Sequence, residues 1–395
     1  MIGGSIRRYP RSRITPARRR RIIELIEATL NTPTVILTDR RLTYFSHSGV
    51  HHREIPLRVP HANRIVLKCE HLSAYSPTGS MYDRLYPWLF LRAEELGVIS
   101  PETTDVIECS VGNAGAAFAH VAHKLGYPNP TVILPADIYD ARIDQITRIP
   151  NTHIEYSPER IGPLGYVRLL ENLLTGRHSL AARRRTGRKL HPVSKLRKIP
   201  IEPYAEVFQE VKRDLATLGY SSQIDKLVFG IGAGNTVSQL GACIRSQDPP
   251  GDIVICEHEE NPFAALIKVG ISPPVNIPWS EPDYPATTIH GVPVNKLSLN
   301  HSIVADAMVL ATTRDERDEG WAIANEILQL KAGRPTGMLL WGALQIAEET
   351  ENSNILMPVF DSVAKYSRSS WQPIQELDSI RPTGLQPCGG YANSA

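Results

Sequence analysis

The sequence predicts an α/β fold built on a mainly parallel sheet, and three observations carry that expectation. Apolar runs of strand length alternate with helical segments of about ten residues, the mark of βαβ units. Three of those runs, at 65–70, 105–108 and 227–229, pass directly into turns rich in Gly, Ser, Thr or Asn that open a helix. The 395 residues, 42% hydrophobic and 21% charged, are enough for two or three modules around a sizeable core.

In order, the elements are justified as follows. Residues 22–30 have the spacing of a short helix, Asn31-Thr32-Pro33 punctuates it, and 34–37 is an apolar strand. Residues 38–64 read as irregular, and their His51, His52 and His61 are assigned no ligand role. A buried strand at 65–70 precedes a Pro/Gly turn and a helix near 85–96, which ends at Gly97. A strand at 105–108, a helix at 116–125, a strand at 131–134, a helix at 141–149 and a strand at 152–156 continue the rhythm. A basic stretch with a helix near 163–175 interrupts it, and an amphipathic helix at 204–218 resumes it. Strands at 227–229, 253–257 and 354–359 and helices at 317–330 and 338–350 complete the pattern. His290 to Pro293 sits in a loop, and the Pro-, Gly- and Ser-containing tail from about 370 reads as poorly ordered.

Composition excludes several classes. No apolar run approaches the roughly 18 residues needed to span a membrane. The Arg-rich start is followed by no apolar segment of the kind a secretory signal carries. The five cysteines are scattered without metal-ligand spacing, so reduced thiols in the cytoplasm are expected. A net charge of +2 argues against a dedicated nucleic-acid protein. It hides two tracts without an acid, 1–21 and 177–198, read as solvated or disordered faces. Anionic-substrate capture, a nucleic-acid patch and a partner surface are the other readings.

Four turns could carry chemistry. In 230–236, Gly230, Gly232 and Gly234 alternate with Ile231, Ala233 and Asn235 before Thr236, where a strand meets a helix. Backbone N–H groups can approach an anion there, and the helix dipole favours its charge. No Gly-Lys-Ser/Thr closes a Walker loop, and the spacing departs from the dinucleotide fingerprint, although Glu257 lies about 25 residues on. Cys109-Ser110-Val111-Gly112-Asn113-Ala114-Gly115 opens a second helix. Ser76-Pro77-Thr78-Gly79-Ser80-Met81-Tyr82-Asp83-Arg84 opens a third. Asp361-Ser362-Val363-Ala364-Lys365-Tyr366 ends the last strand.

These segments, in this order, resemble the cysteine synthase family, pyridoxal-phosphate (PLP) enzymes of the tryptophan-synthase-β fold. Residues 76–84 resemble its Asn-Pro-x-Gly-Ser-x-Lys-Asp-Arg segment, with Ser76, Pro77, Gly79, Ser80, Asp83 and Arg84 in register and Tyr82 where the family has its Schiff-base lysine. Ser110, Val111, Gly112 and Asn113 resemble the loop that grips the substrate carboxylate, with Asn113 also beside the cofactor's phenolic oxygen. Val111 and Ala114 lack hydroxyls that the family uses there. Gly230 to Thr236 resembles the phosphate loop, and Ser362 the neutral partner of the pyridine nitrogen. Arg334 sits where the family has a Ser-Ser-Gly turn and could add an anion contact.

The resemblance covers about 22–366. It implies two three-layer α/β domains with mainly parallel sheets, β-elimination or β-replacement on an amino-acid-like substrate, and a homodimer. The expected division is an arm at 1–21, a large domain from 22–64 and 157–366, a small substrate-loop domain at 65–156, and a tail at 367–395.

A phenol cannot form an imine with the cofactor aldehyde. Four readings of Tyr82 therefore stand. PLP binds without a covalent link; Tyr82 serves PLP-independent acid/base chemistry; the protein is a non-catalytic pseudoenzyme that reuses the pocket; or the lysine has been replaced artificially. Lys68 and Lys195 are the other lysines considered, and spacing supports neither.

Overall fold

The computed structural model describes residues 14–46, 49–110, 112–135, 138–157, 188–193, 202–231, 235–260, 262–269, 306–366, 374 and 377. The expected helix at 163–175, the loop at 290–293 and phosphate-loop residues Gly232, Ala233 and Gly234 lie outside them, as do Val111 and the side chain of Asn235.

The chain opens with α1 (Pro16–Glu27), β1 (Thr34–Thr38), β2 (Arg41–Ser46), β3 (Gly49–Glu54), β4 (Arg64–Cys69) and α2 (Tyr82–Glu95). β5 (Thr104–Cys109), α3 (Asn113–Lys124), β6 (Thr131–Leu134), α4 (Asp140–Thr147), β7 (His153–Tyr156) and β8 (Lys189–Pro192) follow. Then come α5 (Glu202–Thr217), β9 (Lys226–Gly230), α6 (Asn235–Arg245), β10 (Asp252–His258), α7 (Phe263–Lys268), β11 (Met308–Thr312), α8 (Arg314–Ala322), α9 (Arg334–Glu349) and β12 (Asn354–Val359).

The strands form two sheets. The larger has the order β11-β10-β9-β12-β4-β1-β2-β3, parallel from β11 to β4 and antiparallel from β1 outward. The smaller, β7-β6-β5-β8, is wholly parallel. One apolar cluster packs α2, α3, α5 and α6 around the smaller sheet and one face of the larger; a second packs α9 on the opposite face. In α3, Ala116, Ala117, Ala119 and Ala122 are fully buried, and small side chains let that helix lie close to its neighbours.

Several expectations are corrected here. The strand at 64–69 pairs with β1 and β12 in the larger sheet, so it does not open the small domain. β8, from the basic insertion, pairs with β5 in the smaller sheet, and Arg188 bonds Asp105 at 2.6 Å and three backbone carbonyls. Residues 16–21 are helical, with Thr15 capping α1 and Arg18 bonding Glu94 at 2.6 and 2.8 Å. The stretch at 38–64 contains the hairpin β2–β3, whose outer strand is half-exposed and polar, so no buried-strand pattern announced it. In the tail, Leu377 is buried and Ile374 accepts the Ser73 N–H.

A buried ion cluster joins β4, α2 and α5. Arg84 reaches Glu70 at 2.8 Å, both Glu210 oxygens at 2.8 and 2.9 Å, and the Thr32 hydroxyl at 2.8 Å. Lys68 reaches Glu210 at 2.8 Å and also bonds the Thr32 carbonyl. Burial alone would push the Glu210 carboxyl up, but Lys68 and Arg84 outweigh it and hold it at about 2.

Removing one member of this cluster leaves buried charge uncompensated. Glu210→Gln should cost about 3–5 kcal/mol in chemical denaturation. The Glu210 contribution is fully present above pH 4.5, its ordinary value, and is lost as pH falls toward 2. The Glu210→Gln penalty should therefore shrink between those two pH values; a constant penalty would show that charge is not the cause.

Candidate functional site

Three strand-to-helix turns and the end of β12 converge between the two sheets. Ahead of α2, Asp83 organises the first. Its carboxylate accepts from the Ser76 hydroxyl at 2.6 Å, the Thr78 N–H at 2.9 Å and the Thr78 hydroxyl at 2.8 Å. Gly79 has φ +63°, and a Cβ there would lie 2.8 Å from the His71 carbonyl oxygen, so glycine is required. Tyr82 is thereby set as the first residue of α2, with its N–H 3.3 Å from the Ser80 hydroxyl.

The Tyr82 side chain is half-buried, and its phenol lies near the hydroxyl of Thr236, the second residue of α6. The Tyr204 hydroxyl lies 3.4 Å from the same Thr236 oxygen. Burial pushes the Tyr82 phenol above its ordinary value, opposed by the nearby Thr236 hydroxyl. It is thus a neutral donor at ordinary pH, and among the described residues no cation lowers it as a basic role would need.

In the second turn, the Ser110 hydroxyl accepts the Gly112 and Gly115 N–H groups at 2.9 and 2.8 Å. Ser110 therefore holds the loop that the sequence reading assigned to substrate. Gly112 has φ +122°, and a Cβ there would lie 2.5 Å from Arg142 Cδ. Asn113 donates from Nδ2 to Asp361 at 3.3 Å, while its Oδ1 is buried and has no hydrogen-bond partner among the described residues.

Asp361 also accepts from the Tyr366 hydroxyl at 2.6 Å and pairs with Arg142 at 3.8 Å. The Arg142 guanidinium stacks 4.9 Å above the Tyr366 ring. Ser362 is buried beside Asp361 and bridges Ala332 through its backbone. Gln145 of α4 donates to the Thr78 carbonyl at 2.7 Å, which ties the smaller sheet's helices to the Tyr82 turn. Gly230 ends β9, and Thr236 is the described residue of the phosphate-loop motif whose side chain reaches the site. Arg334 is in the first turn of α9, its guanidinium 5.9 Å from the Trp321 ring. Lys68 belongs to the ion cluster, and Lys195 is outside the described residues.

Comparison with known proteins decides what this arrangement belongs to. The model of the pyridoxal-phosphate dependent enzyme family matches residues 51–319. The chain belongs to that family. Among its relatives, O-ureido-L-serine synthase of Streptomyces lavendulae is 26% identical over 324 residues, 76% of this chain and 90% of that one. Cysteine synthase 3 of Caenorhabditis elegans is 27% identical over 201 residues, 50% of this chain and 53% of that one. Among solved structures, a hydrogen sulfide-producing enzyme from Fusobacterium nucleatum has a TM-score of 0.64 at 19% identity, covering 87% of this chain and 99% of that one. O-ureido-L-serine synthase has a TM-score of 0.63 at 20% identity, covering 91% and 96%. The expected two-domain, tryptophan-synthase-β-like α/β fold is the fold observed.

The described residues suit a polar, ring-bearing cofactor at this junction. At the junction, Asn113 Oδ1 and Asp361 Oδ1 are buried without hydrogen-bond partners among the described residues, and such atoms are expected where a polar ligand completes the set. No helix among the described residues is long and apolar enough to cross a membrane, and no metal-binding cluster of His, Cys, Asp or Glu occurs among them.

Two glycines separate backbone strain from crowding. Gly49 and Gly112 both have φ near 120°, but a Cβ at Gly49 meets nothing within 4 Å. Gly49→Ala should cost about 1 kcal/mol and Gly112→Ala about 1–3 kcal/mol more, because Arg142 must move. Equal losses in thermal melts would show that Arg142 yields without cost.

Proposed function

We propose that the chain is a PLP-fold enzyme of the β-elimination or β-replacement type, acting on an amino-acid-like substrate such as a serine activated on its β-oxygen. Tyr82 stands where the family has its Schiff-base lysine. The observation that carries this reading is the convergence of Tyr82, Asn113, Thr236 and Ser362 on one junction, with unpartnered buried oxygens around it. The relatives named for O-ureido-L-serine and cysteine synthesis support the reaction class.

In this reading the start of α6, from Gly230 to Thr236, holds the phosphate, using backbone N–H groups and the helix dipole. Asn113 faces the ring hydroxyl, and Ser362 meets the pyridine nitrogen as a neutral partner. The bound cofactor would supply an electron sink that lets the substrate Cα lose its proton. Tyr82 supplies a neutral hydroxyl at the mouth of the phosphate loop, suited to donating a proton to a leaving oxygen. The cofactor has no covalent link to position 82. The working unit is a cytoplasmic homodimer, as the family resemblance implies.

One observation favours a second reading, a pseudoenzyme or PLP-independent enzyme. The Tyr82 phenol lies beside the Thr236 hydroxyl that a phosphate would use.

A thermal titration separates the two. Saturating PLP should raise the melting temperature by mass action, and Gly234→Asp should abolish that rise. Tyr82→Lys should allow borohydride to trap PLP at position 82, and Tyr82→Phe should lower turnover about 100-fold. No thermal response to PLP in either the natural chain or Tyr82→Lys would establish the second reading.

A further inference from the structure

Lys365 is fully buried, in the short helical turn Val363–Tyr366 directly behind Ser362, and its N–H donates to the Ser362 carbonyl at 3.2 Å. Its Nζ has no hydrogen-bond partner among the described residues. Other buried or anchored lysines are satisfied: Lys68 by Glu210, Lys226 by Asp252 and Lys268 by the Ala307 carbonyl. A buried ammonium without a partner is strongly disfavoured, so a lysine kept in such a place is a candidate for chemistry.

The place itself is informative. Lys365 Cε lies 3.9 Å from where a Gly79 Cβ would sit, so the side chain packs against the turn that presents Tyr82. The charged and titratable groups facing it are Asp361, Asp83 and Arg142, with His71 also nearby. Asp83 is engaged by Ser76 and Thr78, and Asp361 Oδ2 by Tyr366 and Asn113. Burial pushes the Lys365 amine down to about 8, with Asp361 and Asp83 opposing and Arg142 assisting. A minority of it is then neutral near physiological pH, far more than for an ordinary lysine, and the neutral amine is the nucleophilic form.

We propose that Lys365 supplies the amine that position 82 lacks and forms the imine with the cofactor aldehyde. The proposal rests on the cofactor reading above. The Nζ lone pair attacks the aldehyde carbon, the C–O bond of the adduct breaks, and the oxygen leaves as water with the two amine hydrogens. No oxidant or reductant is needed. The sequence signal was available: a lysine three residues after Ser362, just past the last strand. Motif register had directed attention to position 82 instead.

The test uses the full chain incubated with PLP, then borohydride, then peptide mapping by mass spectrometry. Hydride reduces the imine to a stable secondary amine, so the label should fall on the Lys365 peptide, and labelling should rise with pH through about 8. Lys365→Met should remove the visible band and that label. Its melting temperature without PLP should be no lower than the parent's, because an unpartnered buried amine is replaced by an apolar chain of similar shape. Mapping of the unaltered chain stands even where that variant fails to fold. If PLP protects against heat but no label reaches Lys365, or surface lysines are labelled equally, the Lys365 proposal falls and the cofactor reading survives. If PLP neither protects nor colours the protein, both fall.

Discussion

The position of Tyr82 depends on the Arg84 fork. Arg84 lies two residues further along α2, and its guanidinium joins Glu70 after β4 to Glu210 on α5. A planar donor with several fixed N–H directions can satisfy two carboxylates and the Thr32 hydroxyl together, which a point-charge ammonium cannot. Lys68 supplies the second positive charge, so the two acids are matched by two cations. With α2 held at this register, the residue that opens it projects toward Thr236 at the start of α6.

A second constraint closes the site from the other side. Asp361 is the meeting point of the two units, touched by Asn113 and Arg142 from around the smaller sheet and by Tyr366 from its own turn. Gly112 has no side chain because the stem of Arg142 fills that space. A charged arginine of α4 packed behind the 110–115 turn changes the local electrostatics. Hydroxyl donors are missing at Val111 and Ala114, Ser110 is committed to backbone N–H groups, and the buried positive charge lies behind Gly112.

Much was legible in the sequence because it is encoded locally. Strand-to-helix turns with glycine and a capping residue mark themselves by short-range chemistry, so the turn at 76–84, the helix starts at Asn113 and Asn235 and the final strand were legible in kind. Helix starts were less legible. α2 and α9 begin at Tyr82 and Arg334, earlier than their apolar periodicity suggested, since first-turn residues are chosen for capping and packing. The β2–β3 hairpin was missed because its outer strand is half-exposed and carries no apolar run.

The sequence by itself determined the α/β class, the order of the strand-to-helix turns and the tyrosine at position 82, each a matter of local residue type and spacing. Only the tertiary structure decided which sheet β4 and β8 join, that Ser110 serves its own loop, and that Lys365 comes to lie buried against Gly79. The sheet membership and the Lys365 contact depend on residues up to hundreds of positions apart, and the Ser110 bonds on how its turn closes, neither of which a single sequence records.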